Sequence, residues 1–200
     1  MSKTVVIATN NAHKVAEITT ALDFEGWEFK TLREMGVESN PEEDAGTFEG
    51  NARIKALAAR EACGGRAALA DDSGLEVDAL GGAPGVYSSR YAGVDGDDAA
   101  NNAKLLRELS DVPEELRTGR FVCTLVFIDE DGSESVARGT IEGRIGYEER
   151  GCEGFGYDPL FVPDAFGGTL TLAEVSQEEK SGVSHRGNAL RALREQLQGR

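Results

Sequence analysis

Apolar residues recur along this chain with two spacings, and the switches between them outline its elements. Thr4-Val5-Val6-Ile7-Ala8 is a β-branched apolar run and reads as a central strand. It breaks at Thr9-Asn10-Asn11. Val15, Ile18 and Leu22 then fall at i, i+3 and i+7, which marks one face of a helix. A second strand with a loop is expected within residues 28–37. Thr47 is placed to cap a long helix from Phe48 to about Ala62, with Phe48, Ala52, Leu57 and Ala58 available for its inner side, and Gly64-Gly65 ends it. Ala67-Ala68-Leu69-Ala70 reads as a short buried strand, with Ser73-Gly74 as its sharp exit. Residues 97–110 read as a helix with Ala103, Leu106 and Leu109 on one side. Residues 121–128 and 135–145 read as an antiparallel hairpin turning at Asp129-Glu130-Asp131-Gly132. Leu160-Phe161-Val162 is a short strand, and a last helix starts at Ser184 with Leu190, Leu193 and Leu197 facing the core. Strand and helix patterns alternate, so the expected class is α/β, and the hairpin region, about residues 97–150, is a candidate second lobe.

The 200 residues suit one domain with a real core, or two small lobes sharing a cleft. No apolar run is long enough to span a bilayer, and no charged-then-apolar leader with a cleavage site is present, a pattern that favours the cytoplasm. Cys63, Cys123 and Cys152 are an odd number without a CxxC pair, and read as reduced thiols rather than a disulfide frame or zinc site. With only two histidines, His13 and His185, the zinc reading weakens further. The formal net charge of −15 argues against general affinity for nucleic acid, which needs clustered cations. A chain this acidic must concentrate its few cations to hold an anionic ligand, which gives each basic residue added weight.

The candidate chemistry centres on Ala70-Asp71-Asp72-Ser73-Gly74-Leu75. Carboxylates at a strand end face the mouth of an α/β sheet, where ligands bind. Neighbouring side chains on a strand point to opposite faces, so Asp71 and Asp72 are expected to divide two jobs: one facing a hard cation such as Mg²⁺, the other bracing the loop. Asp-Asp-Ser-Gly is also good turn chemistry. Near the N-terminus, a strand, a polar turn (Thr9, Asn10, Asn11) and a helix start carrying Lys14 have the geometry of a phosphate cradle. Lys14 opposes the helix dipole, a cost that a bound anion would offset. The loop Asn40-Pro41-Glu42-Glu43-Asp44-Ala45-Gly46 is either a solvated acidic run or a second source of metal carboxylates. Asn51 and Lys55, four apart, share a helix face. Gly151-Cys152-Glu153-Gly154-Phe155-Gly156-Tyr157-Asp158-Pro159 lets backbone and ring approach a flat ligand, and either Phe155 or Tyr157 can stack on a base; the same loop can also simply plug the core. Lys180 follows, and His185 and Arg186 fall in the first turn of the last helix, again against the dipole. Tyr87 and the stretch Ser88-Ser89-Arg90-Tyr91-Ala92-Gly93 supply exposed Tyr and Arg suited to a dimer contact. Together these are parts for a triphosphate, a divalent metal and a nucleobase.

Thr9-Asn10-Asn11-Ala12-His13-Lys14, Ala70-Asp71-Asp72-Ser73-Gly74-Leu75, Gly81-Gly82-Ala83-Pro84-Gly85, Phe155-Gly156-Tyr157-Asp158-Pro159 and Ser184-His185-Arg186 stand in an order that resembles the non-canonical purine nucleoside triphosphate pyrophosphatases, also called inosine/xanthosine triphosphate pyrophosphatases. The likeness runs from Val5 to the last helix. It implies a mixed central sheet with two lobes flanking a deep substrate cleft, a homodimer, and Mg²⁺-dependent hydrolysis of inosine, deoxyinosine and xanthosine triphosphates to the monophosphate and pyrophosphate. By position, Asp72 matches the family's proton acceptor and metal ligand, and Glu42 its other metal ligand, with Glu43 as the alternative. Thr9, Asn10, Asn11, Ala12, His13, Lys14, Ser73, Phe155, Gly156, Tyr157, Asp158, Lys180, His185 and Arg186 match its substrate-binding positions, to which the residues themselves add Asn51 and Lys55. Asn10 departs from the family, many of whose members have glycine there.

Overall fold

A computed structural model of the chain describes residues 3–9, 11–176, 179–180 and 183–198, without the side chains of Ala12 and His13. Strand β1 (Lys3–Ile7) leads to helix α1 (Ala12–Ala21), β2 (Trp27–Thr31), α2 (Phe48–Ala62) and β3 (Ala67–Val77). Then come α3 (Asp98–Glu108), β4 (Thr118–Ile128), β5 (Glu134–Ile145), β6 (Phe161–Pro163) and α4 (His185–Gln198), with short 3-10 turns between. The strands form one sheet in the order β2-β1-β3-β4-β5-β6. β1 runs parallel to β2 and β3, whereas β5 and β6 are antiparallel, so the sheet is mixed and the α/β expectation holds. Among the described residues no helix is long and apolar enough to cross a membrane.

The chain divides into two compact units, Met1–Asp72 with Cys123–Gly139 and Arg186–Arg200, and Ser73–Val122 with Thr140–His185. The sequence places a second lobe at about residues 97–150; the second unit here takes in more chain on both sides of that span and omits residues 123–139, the larger part of the β4–β5 hairpin.

In the first unit the strand period sorts side chains onto two faces. Val5, Ile7, Ala67 and Leu69 pack with Ile18 and Leu22 of the α1 segment and with Ala189, Leu190 and Leu193 of α4. Val6 and Ala68 pack with Ala59 and Cys63 at the end of α2, and Ala70 packs with Ala52 and Ala56 of the same helix. Strands covered on both sides explain why these runs read as continuously apolar rather than alternating. α2 lays a row of small residues against the sheet: its buried positions are Phe48, Asn51, Ala52, Ala56 and Ala59. This corrects the inner face read from the sequence, since Leu57 lies outward and is 51% exposed. The large residue misled; at 3.6 residues per turn it lies off the 52–56–59 stripe, where alanine permits close approach.

β3 also differs from its expectation. It does not leave the sheet at Ser73-Gly74 but runs on to Val77. It pairs with β1 over Ala67–Leu69, and its other neighbour, β4, carries the strand onward. Gly119 on β4 lies so close that a Cβ there would meet the Glu76 carbonyl oxygen at 2.5 Å.

The second unit has its own core, including Leu75, Leu105, Leu109, Phe121, Ile145 and Phe161. Of the α3 face read from the sequence, Leu109 is buried and Leu106 packs against this core, but Ala103 is exposed; the helix instead buries Leu105 with Asn101 and Asn102, whose amides bond to loops. Arg117 is 1% exposed and donates to the carbonyls of Ile145 (3.0 Å), Leu109 (3.0 Å) and Gly146 (2.8 Å). Arg117→Met removes the shared donor from all three. The Leu109 carbonyl keeps the Val112 N–H at 3.0 Å, so the loss falls on the Ile145 and Gly146 carbonyls; at about 1–3 kcal/mol for each left unpaired, the melting midpoint should fall by roughly 5 °C or more. A calorimetric scan showing no fall would contradict this role.

Candidate active site

Because β3 keeps its pleat through residue 72, the alternation that sorts its apolar residues also sorts its carboxylates. Asp71 follows Leu69 onto the α1 and α4 face, and Asp72 follows Ala70 onto the α2 face. Asp71 is buried, with one oxygen 2.7 Å from Lys14 Nζ and 3.5 Å from Arg186 Nε. Arg186 is itself buried and pairs with Glu17 at 2.7 Å. Burial alone would push the Asp71 carboxyl up, but Lys14 and Arg186 outweigh it and hold the group well below the usual carboxylate range. For Arg186, burial opposes the charge, yet Asp71 and Glu17 keep the guanidinium firmly protonated.

Asp72 has the opposite balance. One oxygen lies 3.0 Å from Lys55 Nζ and the other accepts from Asn51 Nδ2 at 3.3 Å. Burial dominates over Lys55 and raises the Asp72 carboxyl above its ordinary value, helped by the nearby negative Glu43. Lys55 Nζ also meets Glu43 Oε2 at 2.9 Å, so one ammonium joins Asp72 to the acidic loop. Burial works against that ammonium, but Asp72 and Glu43 together raise its pKa. Asn51 ties the same loop down, its Oδ1 accepting from the Ala45 N–H at 3.0 Å. Of the two loop glutamates, Glu43 therefore reaches this cluster and Glu42 is exposed.

The turn after β1 is built as its sequence suggests. The Asn11 N–H donates to Thr9 Oγ1 at 3.2 Å, and Asn11 Oδ1 accepts the Lys14 N–H at 3.3 Å, capping α1. Thr9, Lys14, Asn40, Glu43, Lys55 and Asp71 line a cavity of about 300 Å³. The remaining turn positions, Asn10 and the side chains of Ala12 and His13, lie outside the described residues. Ser39 also lines the cavity, and neither it nor Asn40 carries a sequence signal beyond lying at the start of the acidic loop.

In the second unit the aromatic-glycine loop is ordered by its own polar groups. Asp158, buried, accepts from the Phe155 N–H at 3.1 Å and pairs with Lys180. The Lys180 ammonium lies 5.6 Å from the centre of the Phe155 ring. Gly154 has φ +81°, and a Cβ there would strike the Asp158 carboxylate, so glycine is required. Tyr157 is buried and donates its hydroxyl to the Ser88 carbonyl at 2.8 Å, which leaves Phe155, 68% exposed, as the ring free to meet a ligand. Ser73 lies half-buried on β3, and the His185 ring stacks on Phe121 at 5.2 Å. The sequence missed Asp98 and Asn102 of α3, which hold Gly156; their i, i+4 spacing was the available signal.

A family model described as the Ham1 family matches residues 5–196. The chain belongs to the Ham1 family. A relative from Exiguobacterium sibiricum, a dITP/XTP pyrophosphatase, is 49% identical over 189 residues, covering 94% of each chain. One of the same description from Cutibacterium acnes is 49% identical over 193 residues, covering 94% of this chain and 93% of its own. Among solved structures, the Ham1 protein of Staphylococcus aureus superposes with a TM-score of 0.90 at 39% identity, covering 98% of this chain and 99% of its own. A nucleoside-triphosphatase / dITP/XTP pyrophosphatase from Mycobacterium abscessus superposes with a TM-score of 0.82 at 44% identity, covering 95% of this chain and 97% of its own.

In this member of the family, Asp71→Asn leaves Lys14 and Arg186 without their shared counter-charge. Breaking a buried pair costs about 3–5 kcal/mol, or on the order of 10 °C in melting midpoint at pH 7. A carboxyl held low in the fold contributes stability above its unfolded value near 3.9, and that contribution fades as pH falls through the folded value. The gap between wild-type and variant melting midpoints should therefore be constant above about pH 5 and narrow progressively as pH falls below about 4; a gap unchanged in acid would contradict the ion-pair account.

Proposed function

We propose that this chain hydrolyses inosine, deoxyinosine and xanthosine triphosphates to the nucleoside monophosphate and pyrophosphate, with the whole chain serving as one such domain and clearing deaminated purines from the nucleotide pool. The observation that carries the reading is the group Asp72–Lys55–Glu43 in the same unit as the Thr9–Lys14 turn. The names of its relatives point the same way.

Asp72 takes a proton from the attacking water. A carboxylate made more basic by burial is better suited to this task than an exposed one. Lys55 holds Asp72 and supplies positive potential, and Lys14, at the start of α1, presents a second ammonium to the phosphates. Attack at the α-phosphorus with pyrophosphate leaving accounts for the two products.

Among the described residues no group of three metal-ligating side chains is assembled. Two carboxylates, Asp72 and Glu43, nevertheless flank one cationic position, now taken by the Lys55 ammonium, and Mg²⁺ commonly binds one or two carboxylates with substrate phosphates completing its shell. That donor set fits Mg²⁺, so Asp72 and Glu43 are the ligands we assign, in place of Glu42. When bound, the ion would neutralise charge developing on the phosphates.

Phe155 offers its exposed ring for stacking on the base. Hypoxanthine and xanthine carry a 6-keto acceptor where adenine carries a donor, so a site of donors leaves adenine with unpaired groups at roughly 1–3 kcal/mol each. The Phe155 and Gly156 N–H groups already donate to Asp158 and Asp98. We place the enzyme in the cytoplasm as a homodimer, with Tyr87 and Arg90, cation on ring at 5.4 Å, in the contact.

A pyrophosphate-release assay on a panel of triphosphates, with and without Mg²⁺, should show inosine and xanthosine triphosphates cleaved well ahead of adenosine triphosphate, and only with the metal. Asp72→Asn should lose about 10²–10⁴-fold in turnover while still binding substrate. Glu43→Gln should impair turnover more than Glu42→Gln. Near-normal turnover in Asp72→Asn sinks the assignment.

A further inference from the structure

Two side chains of α3 hold Gly156 of the aromatic-glycine loop through the two peptide groups that flank its Cα. Asp98 Oδ2 accepts the Gly156 N–H at 2.8 Å, and Asn102 Nδ2 donates to the Gly156 carbonyl at 3.1 Å. They stand four residues apart on one helix face, so a single rigid element sets both bonds. Gly156 directly follows Phe155, whose own N–H is held by Asp158. The backbone on either side of the exposed ring is therefore fixed by three side chains, while the ring itself stays open.

Helix stability does not explain the pair. Asp97, not Asp98, caps α3, accepting the Ala100 N–H at 3.0 Å. Asn102 is 3% exposed, and its Oδ1 has no hydrogen-bond partner. Burying an amide with its oxygen unpaired is unfavourable, and an apolar residue at that position would avoid the cost. The amide serves only through what its nitrogen holds, the Gly156 carbonyl.

We infer that Asp98 and Asn102 are positioning residues for base recognition: they hold Gly156 so that the Phe155 ring is set in advance for the purine. This rests on the reading of Phe155 as the stacking platform. Pre-set rings gain affinity because less conformational freedom is lost on binding. The effect belongs to substrate binding and not to the chemical step, which Asp72 and Lys55 carry.

The test measures steady-state inosine triphosphate hydrolysis by full-length Asp98→Ala, Asp98→Asn and Asn102→Ala, with inorganic tripolyphosphate as a competitive inhibitor lacking a base. Asp98→Ala and Asn102→Ala should each raise KM about tenfold with kcat within about twofold of wild type, as loss of a binding contact requires. The tripolyphosphate inhibition constant should not move. Asp98→Asn, which keeps an acceptor for the Gly156 N–H, should restore KM. In a Phe155→Ala background, Asp98→Ala should add nothing further, since it acts through the ring. An Asp98→Ala effect that persists undiminished without Phe155, or an equal rise in the tripolyphosphate constant, overturns the inference. Hydrogen exchange tests the grip without any substrate: the amide of Gly156 should exchange faster in Asp98→Ala, and unchanged exchange overturns it. A wild type that leaves inosine triphosphate intact overturns the functional reading instead, and the exchange measurement then decides the grip by itself.

Discussion

The carboxylate of Asp71 fixes the starts of two helices far apart in the chain. Lys14 of α1 and Arg186 of α4 both converge on one of its oxygens. Each cation sits in a first helical turn, where the partial positive charge of the helix end repels it. A bound anion would offset that cost; the protein supplies an anion of its own, buried and with its carboxyl held well below the usual carboxylate range. Once Lys14 is fixed in this way, so is the turn before it, through the Asn11 cap and the Thr9 hydroxyl. The cavity beside that turn is thus bounded by groups held through charge, not through loop packing alone.

Asp71 can play this part only because β3 stays a strand across residues 71 and 72. Had the chain turned at Asp-Asp-Ser-Gly, as that composition allows, both carboxylates would have been free to face solvent. Instead the pleat sends one toward α1 and α4 and the other toward α2. Two adjacent aspartates thereby acquire opposite environments, one dominated by two cations, the other by burial with one shared ammonium. Carboxylates whose ionisation is driven apart by their surroundings are the usual mark of divided labour, one structural or electrostatic and one able to exchange a proton.

Much of this was legible in the residue pattern. The strand at the N-terminus, α2 with its Thr47 cap, the β4–β5 hairpin and the core stripe of α4 follow from hydrophobic spacing and capping chemistry. The opposite facing of Asp71 and Asp72 follows from strand geometry alone. Less legible was anything decided by a partner distant in sequence. The extension of β3 to Val77 depends on β4, and the inward face of α3 is polar because its asparagines bond to loops. Apolar spacing found Leu106 and Leu109 but chose Ala103 over Asn101 and Asn102, since it has no means of registering a buried amide. Which of Glu42 and Glu43 meets the buried cluster was illegible for the same reason: neighbouring acidic residues look alike until Lys55, twelve positions beyond Glu43, pairs with one of them.

The asparagines carry this argument one step further. Asn51 bonds Asp72 and the acidic loop, Asn101 bonds the Ala92 N–H and the Ser89 carbonyl, and Asn102 bonds Gly156. All three are buried on the inner faces of helices, where an aliphatic residue would pack without polar cost. Each spends that position on a loop or a carboxylate that regular structure does not hold. An amide suits the task because it donates and accepts without bringing a charge that needs its own counter-ion. In a chain already carrying a large negative excess, ordering loops with neutral groups leaves cations available for buried carboxylates such as Asp71, Asp72 and Asp158.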